Sequence, residues 1–402
     1  MPVKWIVAVF LAIAAGINYA DRAAVSSVFA LLKSDLGASD VVLGALGSVF
    51  LWGYAISSPV AGYLADRRSR SRIVLLSLLA WSAVMAITGF AADVNTLIAL
   101  RLLLGIVESA YLPAAIALIA EHHGPETRAK AMAVHSIGLN MGVVAGGTIA
   151  GYLGDHFGWR PGFWILGGVG VMYGMLGWNL LKDGPQRKPV ASRNALADLR
   201  ELITIPSFLI LLAKTMLAGV GVWIFLNWLP LYFRERFGLS LAAAGFAGTF
   251  LLQAATVSGI AIGGAISDRV ARHSPRMRML FQCICYLVAA PFLLLFLGEI
   301  NFTITAVSVG IFSLFRGMGG ANESPTLCDV VPERLRATGL GMMNLGATAA
   351  GGLGVLTAGW LKSHIGMEAI FAAIAGLFVL AGIILLWGYA VFMNRDVERA
   401  RG

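Results

Sequence analysis

The sequence predicts an all-α integral membrane protein with twelve transmembrane helices in two pseudo-symmetric halves of six. Three observations carry that expectation. First, 58% of the 402 residues are hydrophobic and 13% are charged, with mean hydropathy +0.80. A soluble domain carries roughly 25% charged residues, so most of this surface must face lipid. Second, one polar loop is written twice, as Gly62-Tyr63-Leu64-Ala65-Asp66-Arg67-Arg68-Ser69-Arg70 and, 202 residues later, as Gly264-Ala265-Ile266-Ser267-Asp268-Arg269-Val270-Ala271-Arg272. A repeated G-x-x-x-D-R-x-x-R between apolar stretches marks two homologous membrane halves. Third, the apolar stretches have the required length, since a hydrocarbon core of ~30 Å takes about 20 helical residues.

By that ruler the first six spans fall at 5–32, 40–65, 73–92, 96–121, 130–153 and 161–182. The second six fall at 207–233, 240–266, 279–298, 303–328, 336–363 and 367–393. The opening stretch has the apolar run of a signal peptide. It continues through Asn18-Tyr19-Ala20-Asp21-Arg22 to Leu32 without a small-residue cleavage site, so it reads as the first span. The one long polar connection, Lys182 to Glu201 with Pro185, Pro189 and Ser192, separates the halves. The expected limits are 1–182 and 207–394 for the halves, 183–206 for a linker and 395–402 for a tail. The halves match again after spans four and ten, where Pro125-Glu126-Thr127-Arg128-Ala129-Lys130 answers Pro332-Glu333-Arg334-Leu335-Arg336-Ala337 at an offset of 207.

The formal net charge of +9 does not point to nucleic acid, because the basic residues sit in short loops. Twenty of the 30 lysines and arginines lie in the loops after even-numbered spans and in the tail. The alternate loops hold Lys33, Arg160, Arg234, Arg236 and Lys362. Under the positive-inside rule both termini are expected in the cytoplasm, in the inner membrane of the cell. Cys283, Cys285 and Cys328 lie in apolar segments and read as buried small hydrophobes.

On these repeated motifs the chain resembles a major facilitator superfamily transporter, although the glycine usual at the eighth motif position is Ser69 here. The resemblance implies a cytoplasmic gate in which the loop's acid and arginine pair with neighbouring helix ends and stabilise the outward-facing state. Gly62, Asp66, Arg67 and Arg70 would carry it in the first half, and Asp268 and Arg269 in the second. Three further pieces narrow the branch: Asn18-Tyr19-x-Asp21-Arg22 in span one, Arg101-x-x-x-Gly105-x-x-Glu108 in span four, and Trp228-Leu229-Pro230-Leu231-Tyr232-Phe233 at the end of span seven. Together they are similar to the anion:cation symporters, which carry sugar acids and other organic anions with protons. The first two pieces, and Ser58-Pro59-Val60-Ala61-Gly62-Tyr63-Leu64, are also similar to Spinster-like lipid transporters.

A charge inside a bilayer span is costly unless paired or wetted, so each one needs a reason. Asp21, Arg22, Arg101, Glu108, Lys214, Arg316 and Glu323 all fall inside expected spans. Arg101 and Glu108 are seven apart and share one helix face about 10 Å apart along the axis. Asp21 and Arg22 are adjacent and point roughly 100° apart. The economical arrangement sets span one against span four, each acid opposite an arginine. A substrate anion that captures the arginine removes the partner holding the carboxylate charged, so anion and proton binding become positively coupled, as symport requires. On this reading Asp21 and Glu108 are the proton sites, Arg22 binds a carboxylate and Arg101 is the counter-charge. A static ion-pair lattice would use the same four residues.

Arg316 lies at the depth of Glu108 by its distance from Pro332 and is expected to be a second substrate-facing cation. Glu323 is expected nearer the cytoplasmic closure with Asp268 and Arg269, while Lys214, a few residues into span seven, is close enough to the surface to snorkel and reads first as structural. Tyr19, Tyr54, His135, Asn140, Asn227 and Gln253 complete the candidate substrate site, although a lone His135 is more often a packing histidine than a proton relay. His122 and His123 lack metal-ligand spacing, so no metal is expected. Span five carries Gly142, Gly146, Gly147 and Gly151, expected to pack against span eleven with Gly351, Gly352, Gly354 and Gly359. The antiporter signature would need proline where Gly147 stands.

The leading expectation is therefore a monomeric, proton-coupled importer of a small organic anion, working by alternating access of its two halves. The alternative is a Spinster-like proton-coupled lipid or lysolipid transporter. An enzyme or sensor has no support, since there is no Ser/His/Asp set, metal-ligand cluster or phosphate-binding loop. With no G-x-x-x-x-G-K-[ST] motif and no cofactor expected, the drive is a proton gradient.

Overall fold

In a computed structural model, which describes residues 3–184, 195–272, 274–298 and 301–401, helices occupy every expected span. The side chains of Asp66, Ala195, Leu196 and Arg401 are not described, and the 185–194 part of the expected linker lies outside the described residues. Eleven described helical stretches are long and apolar enough to cross a membrane. The last of them, Glu333–Val391, runs 59 residues. At 1.5 Å per residue that is almost three bilayer cores, too long for one crossing. Gly366, with φ +76°, breaks it where the sequence places the turn between spans eleven and twelve. Twelve spans result, and no strand forms among the described residues.

Span one is α1 (Val3–Ser27) followed by α2 (Phe29–Leu36), which Gly37 closes in the left-handed conformation. Span two is α3 (Asp40–Arg67), entered through a Ser39 cap, and span three is α4 (Arg70–Thr88), capped by Ser69. Span four is broken after Glu108 into α5 (Val94–Glu108) and α6 (Tyr111–His122). Spans five and six are α7 (Pro125–Phe157) and α8 (Arg160–Leu180). Pro125 at the first turn of α7 gives up an amide hydrogen that would have no helical partner anyway.

A short α9 (Ala195–Leu202) precedes spans seven and eight, α10 (Pro206–Phe237) and α11 (Leu241–Ala271). Span nine is α12 (Met277–Leu293), and span ten is α13 (Phe302–Gly320) with α14 (Glu323–Val330). Spans eleven and twelve form α15 (Arg336–Val391), before a terminal α16 (Met393–Arg401). Within the apolar windows of α7 and α11 only 28% of residues are buried in protein.

The chain divides into two compact units, 1–191 with 226–249 and 192–225 with 250–402. In the first unit α1 and α7 meet backbone to backbone. A Cβ on Gly138 would sit 2.1 Å from the Ala12 carbonyl oxygen, one on Gly142 2.1 Å from that of Gly16, and one on Gly146 2.3 Å from Ala20 Cα. Glycines and alanines at a spacing of four on both helices make one continuous small-residue seam. Gly105 on α5 admits the Phe50 carbonyl of α3 in the same way, at 2.2 Å.

The second unit repeats both devices. A Cβ on Gly259 of α11 would sit 2.1 Å from the Leu314 carbonyl oxygen of α13, and one on Gly219 of α10 would sit 2.6 Å from the Ala347 carbonyl oxygen of α15. The span-five stripe thus does not pack on span eleven. Gly142 and Gly146 face α1, and Gly147 and Gly151 face the start of α11 at Gly245 and Leu241. The span-eleven glycines Gly351 and Gly354 face Trp223 and Val220 of α10. Glycine spacing says that a helix comes close; it does not say which one.

The segment 226–249 belongs to the first unit through charge as well as packing. Asp155 at the end of α7 accepts the backbone N–H of Leu241 and of Ala242, both at 2.9 Å. Lys33 bridges Asp40 at 3.0 Å and Glu235 at 3.2 Å. Trp228, fully buried, lies edge-on to Phe29 with ring centroids 5.8 Å apart.

Gly142→Ala is expected to destabilise the protein by about 1–3 kcal/mol or more, because the clash is with backbone and cannot be relieved by a rotamer change. Gly168→Ala, at a position with nothing within 4 Å, should leave stability within ~0.5 kcal/mol. Thermal unfolding of both variants in detergent checks the contrast.

Candidate functional site

Four buried charges gather where α1 meets α5. Arg22 donates from Nε to Glu108 Oε2 at 2.8 Å and from Nη2 to Asn18 Oδ1 at 3.0 Å. Its guanidinium lies over three rings, Tyr19 at 4.4 Å, Tyr54 at 4.7 Å and Phe50 at 5.1 Å. Arg101 stands over the other side of this group, 4.7 Å from the Phe50 centroid, and donates to the Leu46 carbonyl at 3.4 Å. Neither oxygen of Asp21 has a hydrogen-bond partner, nor does Glu108 Oε1. Asp21 instead lies within the fields of Glu108, Arg101 and Arg22 and faces the Trp81 indole.

Two acids and two arginines balance in charge, yet only one direct ion pair forms among them. Burial sorts the four. Asp21 and Glu108 are fully inaccessible and Arg101 is 2% exposed, while the Arg22 side chain keeps 10%. Arg22 is therefore the most accessible of the four. A guanidinium stacked on aromatic faces holds its geometry and keeps donors for a second anion.

Asn18 is a contact that site reasoning from the sequence passes over, although its spacing of four from Arg22 puts both on one helix face. Phe50 and Trp81 carry no such signal. Tyr19 is half-buried and Tyr54 is buried. His135 is buried against Tyr111, whose hydroxyl lies 3.2 Å from His135 Nε2 and donates to the Leu11 carbonyl at 2.5 Å. Asn140 bonds back to its own helix at Ser136, 2.7 Å. Asn227 is buried in the first unit, and Gln253 is half-buried in the second.

The second unit holds its own polar group. Lys214 Nζ pairs with Glu323 Oε1 at 2.7 Å, and Thr215 donates to the same oxygen. Arg316 donates to Thr256 Oγ1 at 2.5 Å, and Tyr286 lies within the fields of Lys214, Glu323 and Arg316. Two expectations are corrected here. Lys214 does not snorkel; it is fully buried, eight residues or about 12 Å into α10. Glu323 does not pair with the second basic loop, because the break between α13 and α14 directs it to α10 instead. Two cations against one acid leave this group with net charge +1.

The basic loops are tied differently from expectation. In the first, Arg67 lies over Tyr63 at 4.2 Å, while Arg70 pairs with buried Glu121 at 2.7 Å. The Asp66 side chain lies outside the described residues, and a Cβ on Gly62 would meet nothing within 4 Å. In the second, Arg269 is exposed and Asp268 lies 3.9 Å from Arg278, which binds Asp329 at 2.8 Å. Arginines also close three helix ends. Arg70, Arg128 and Arg336 each donate Nε to the carbonyl five residues earlier, at Ala65, His123 and Val331. No cluster able to hold a metal occurs among the described residues.

Twelve spans in a repeated set of six, with charges buried in broken helices, are the build of a polytopic membrane transporter. The chain belongs to the Major Facilitator Superfamily, whose sequence profile matches residues 11–327. It is similar to the hexuronate transporter of Bacillus subtilis (strain 168), 27% identical over 98% of this chain and 93% of that protein. A probable galactarate/D-glucarate transporter of Escherichia coli (strain K12) is 24% identical over 94% and 93%. Its fold is also that of a crystallised bacterial homolog of the human lysosomal transporter Spinster, in an inward-facing and unoccupied conformation. The TM-score is 0.78 at 20% identity, over 100% of this chain and 98% of that one.

Glu323→Ala strands the buried Lys214 and is expected to cost about 3–5 kcal/mol. Lys214→Met leaves behind only Glu323, whose side chain is 31% exposed, and should cost less than half as much. Chemical denaturation of the two variants, compared side by side, reads this asymmetry.

Proposed function

We propose that the protein carries a small organic anion of the sugar-acid class together with protons, by alternating access. It does so in the cell membrane with both termini in the cytoplasm, and the proton gradient drives it. The observation that carries the reading is the Arg22–Glu108 pair: one partner reachable, caged by aromatic rings and holding spare donors, the other fully buried with one oxygen unpaired. The likeness to hexuronate and galactarate/D-glucarate transporters supports the anion class.

The chemistry follows from competition for one guanidinium. An arriving carboxylate takes donors of Arg22 that Glu108 uses. Glu108 then holds its charge in a buried place with weakened compensation, and a proton removes that charge. Asp21, without a hydrogen bond, is the second proton site, and Arg101 keeps the cluster from accumulating negative charge. Release of the anion returns Arg22 to Glu108 and expels the proton. Each ligand favours the other by the same coupling free energy.

Liposomes loaded with a pH-sensitive dye, challenged from outside with sugar acids, dicarboxylates and lysolipids, test the reading. Acid-dependent lumenal acidification is expected with the wild type. Arg22→Ala should weaken apparent affinity about 10- to 100-fold, the range of a charge-assisted hydrogen bond. Glu108→Gln should keep anion exchange while lowering the number of protons moved with each anion. Flux of lysolipids with silence for every small anion would overturn the proposal in favour of the lipid reading.

A further inference from the structure

We infer that the protein holds a membrane phospholipid by its phosphodiester headgroup at the ends of α4 and α8 that adjoin the basic loops. A cavity of about 600 Å³ opens there, within the first unit and away from the Arg22 cluster. Its polar side is made by Arg72 and Lys182, with Ser69 and Asp183 beside them. Arg72 and Lys182 are exposed and their side chains form no hydrogen bond or ion pair among the described residues. The Asp183 carboxylate accepts the Ser71 amide at 2.8 Å, at the first turn of α4. Two cations against one engaged acid leave a net positive lining, which suits a phosphodiester.

The other wall decides what kind of molecule carries that phosphodiester. Leu76 and Trp178 line the cavity and are 56% and 52% exposed. They continue into Met175 and Leu176 on α8, 58% and 60% exposed. An apolar strip running from a basic cavity along the membrane-facing side of a span suits acyl chains below a headgroup, as basic pockets at helix ends do. A soluble phosphate would use the cations and leave the strip unexplained. The tryptophan at this level has the place such rings take at a membrane interface.

Native mass spectrometry of protein extracted in mild detergent tests the site. The wild type is expected to retain one phospholipid. Arg72→Gln with Lys182→Gln should lower its occupancy affinity about 25-fold, since each basic residue at the surface contributes about a fivefold preference. Lys130→Gln with Arg272→Gln removes the same charge elsewhere and should retain the lipid. Equal retention by both double variants would overturn the site.

A second measurement uses unmodified protein, so it stands even if the double variant fails to fold. Delipidated wild type is titrated with short-chain phosphatidylglycerol, short-chain phosphatidylethanolamine and inorganic phosphate. Saturable binding of either lipid in the presence of excess phosphate is the expected result, and preference between the two names the headgroup. Binding of phosphate with no lipid retained would show a free-anion site and overturn the proposal.

Discussion

The backbone contact between α1 and α7 is the constraint on which the first unit depends. Lipid gives helices no hydrophobic reason to associate, so their contact must come from close packing and polar bonds. Gly138, Gly142 and Gly146 let α1 approach until its Ala12, Gly16 and Ala20 touch the facing main chain. That seam fixes the rotation of α1 about its axis. With Ala20 pressed on α7, the neighbouring Asn18, Asp21 and Arg22 have one way to face, and α5 supplies the Glu108 that answers Arg22. A larger residue on the seam would turn or displace the helix that carries half of the charged cluster.

Each unit solves the problem of burying charge with a different balance. In the first, two acids and two arginines cancel, and the incompleteness lies in hydrogen bonds: Asp21 has none, and Glu108 has one oxygen idle. In the second, Lys214 is sealed and Glu323 answers it, while Arg316 relies on a threonine hydroxyl. The first arrangement leaves carboxylate oxygens without donors; the second leaves an excess of positive charge. Both features fit the proposed carriage of an anion with protons.

Much of this was legible in the chain. Hydropathy and length anticipated the helical spans, because a bilayer imposes one thickness on every crossing. The Arg22–Glu108 pairing followed from the expense of leaving either unpaired. The breaks inside spans four and ten were marked but passed over: Ser109 and Ala321 lie four residues before Pro113 and Pro325, whose missing amides leave those carbonyls without a helical partner, while no proline marks the break in span one at Val28. Glu323 was misplaced for that reason, since counting along an unbroken helix ignores a turn of direction. Lys214 was misplaced although α10 begins at Pro206, one residue from the expected start, because nearness to a span's end does not show whether a partner such as Glu323 seals the side chain in. The partner of the glycine stripe was invisible because glycine records proximity without identity.

The arginines that close helix ends bear on how basic loops should be read. Counting positive charges to orient a membrane protein treats lysine and arginine as equal. At Arg70 and Arg336 a single side chain bonds a terminal carbonyl through Nε and reaches a second acceptor, Glu121 or the Cys328 carbonyl, through its other nitrogens. A planar fork can serve two acceptors in fixed directions; an ammonium at the end of a flexible stem cannot. Lysine at these two positions would preserve the topology signal and still unfasten the loop, so the choice of cation records architecture as well as orientation.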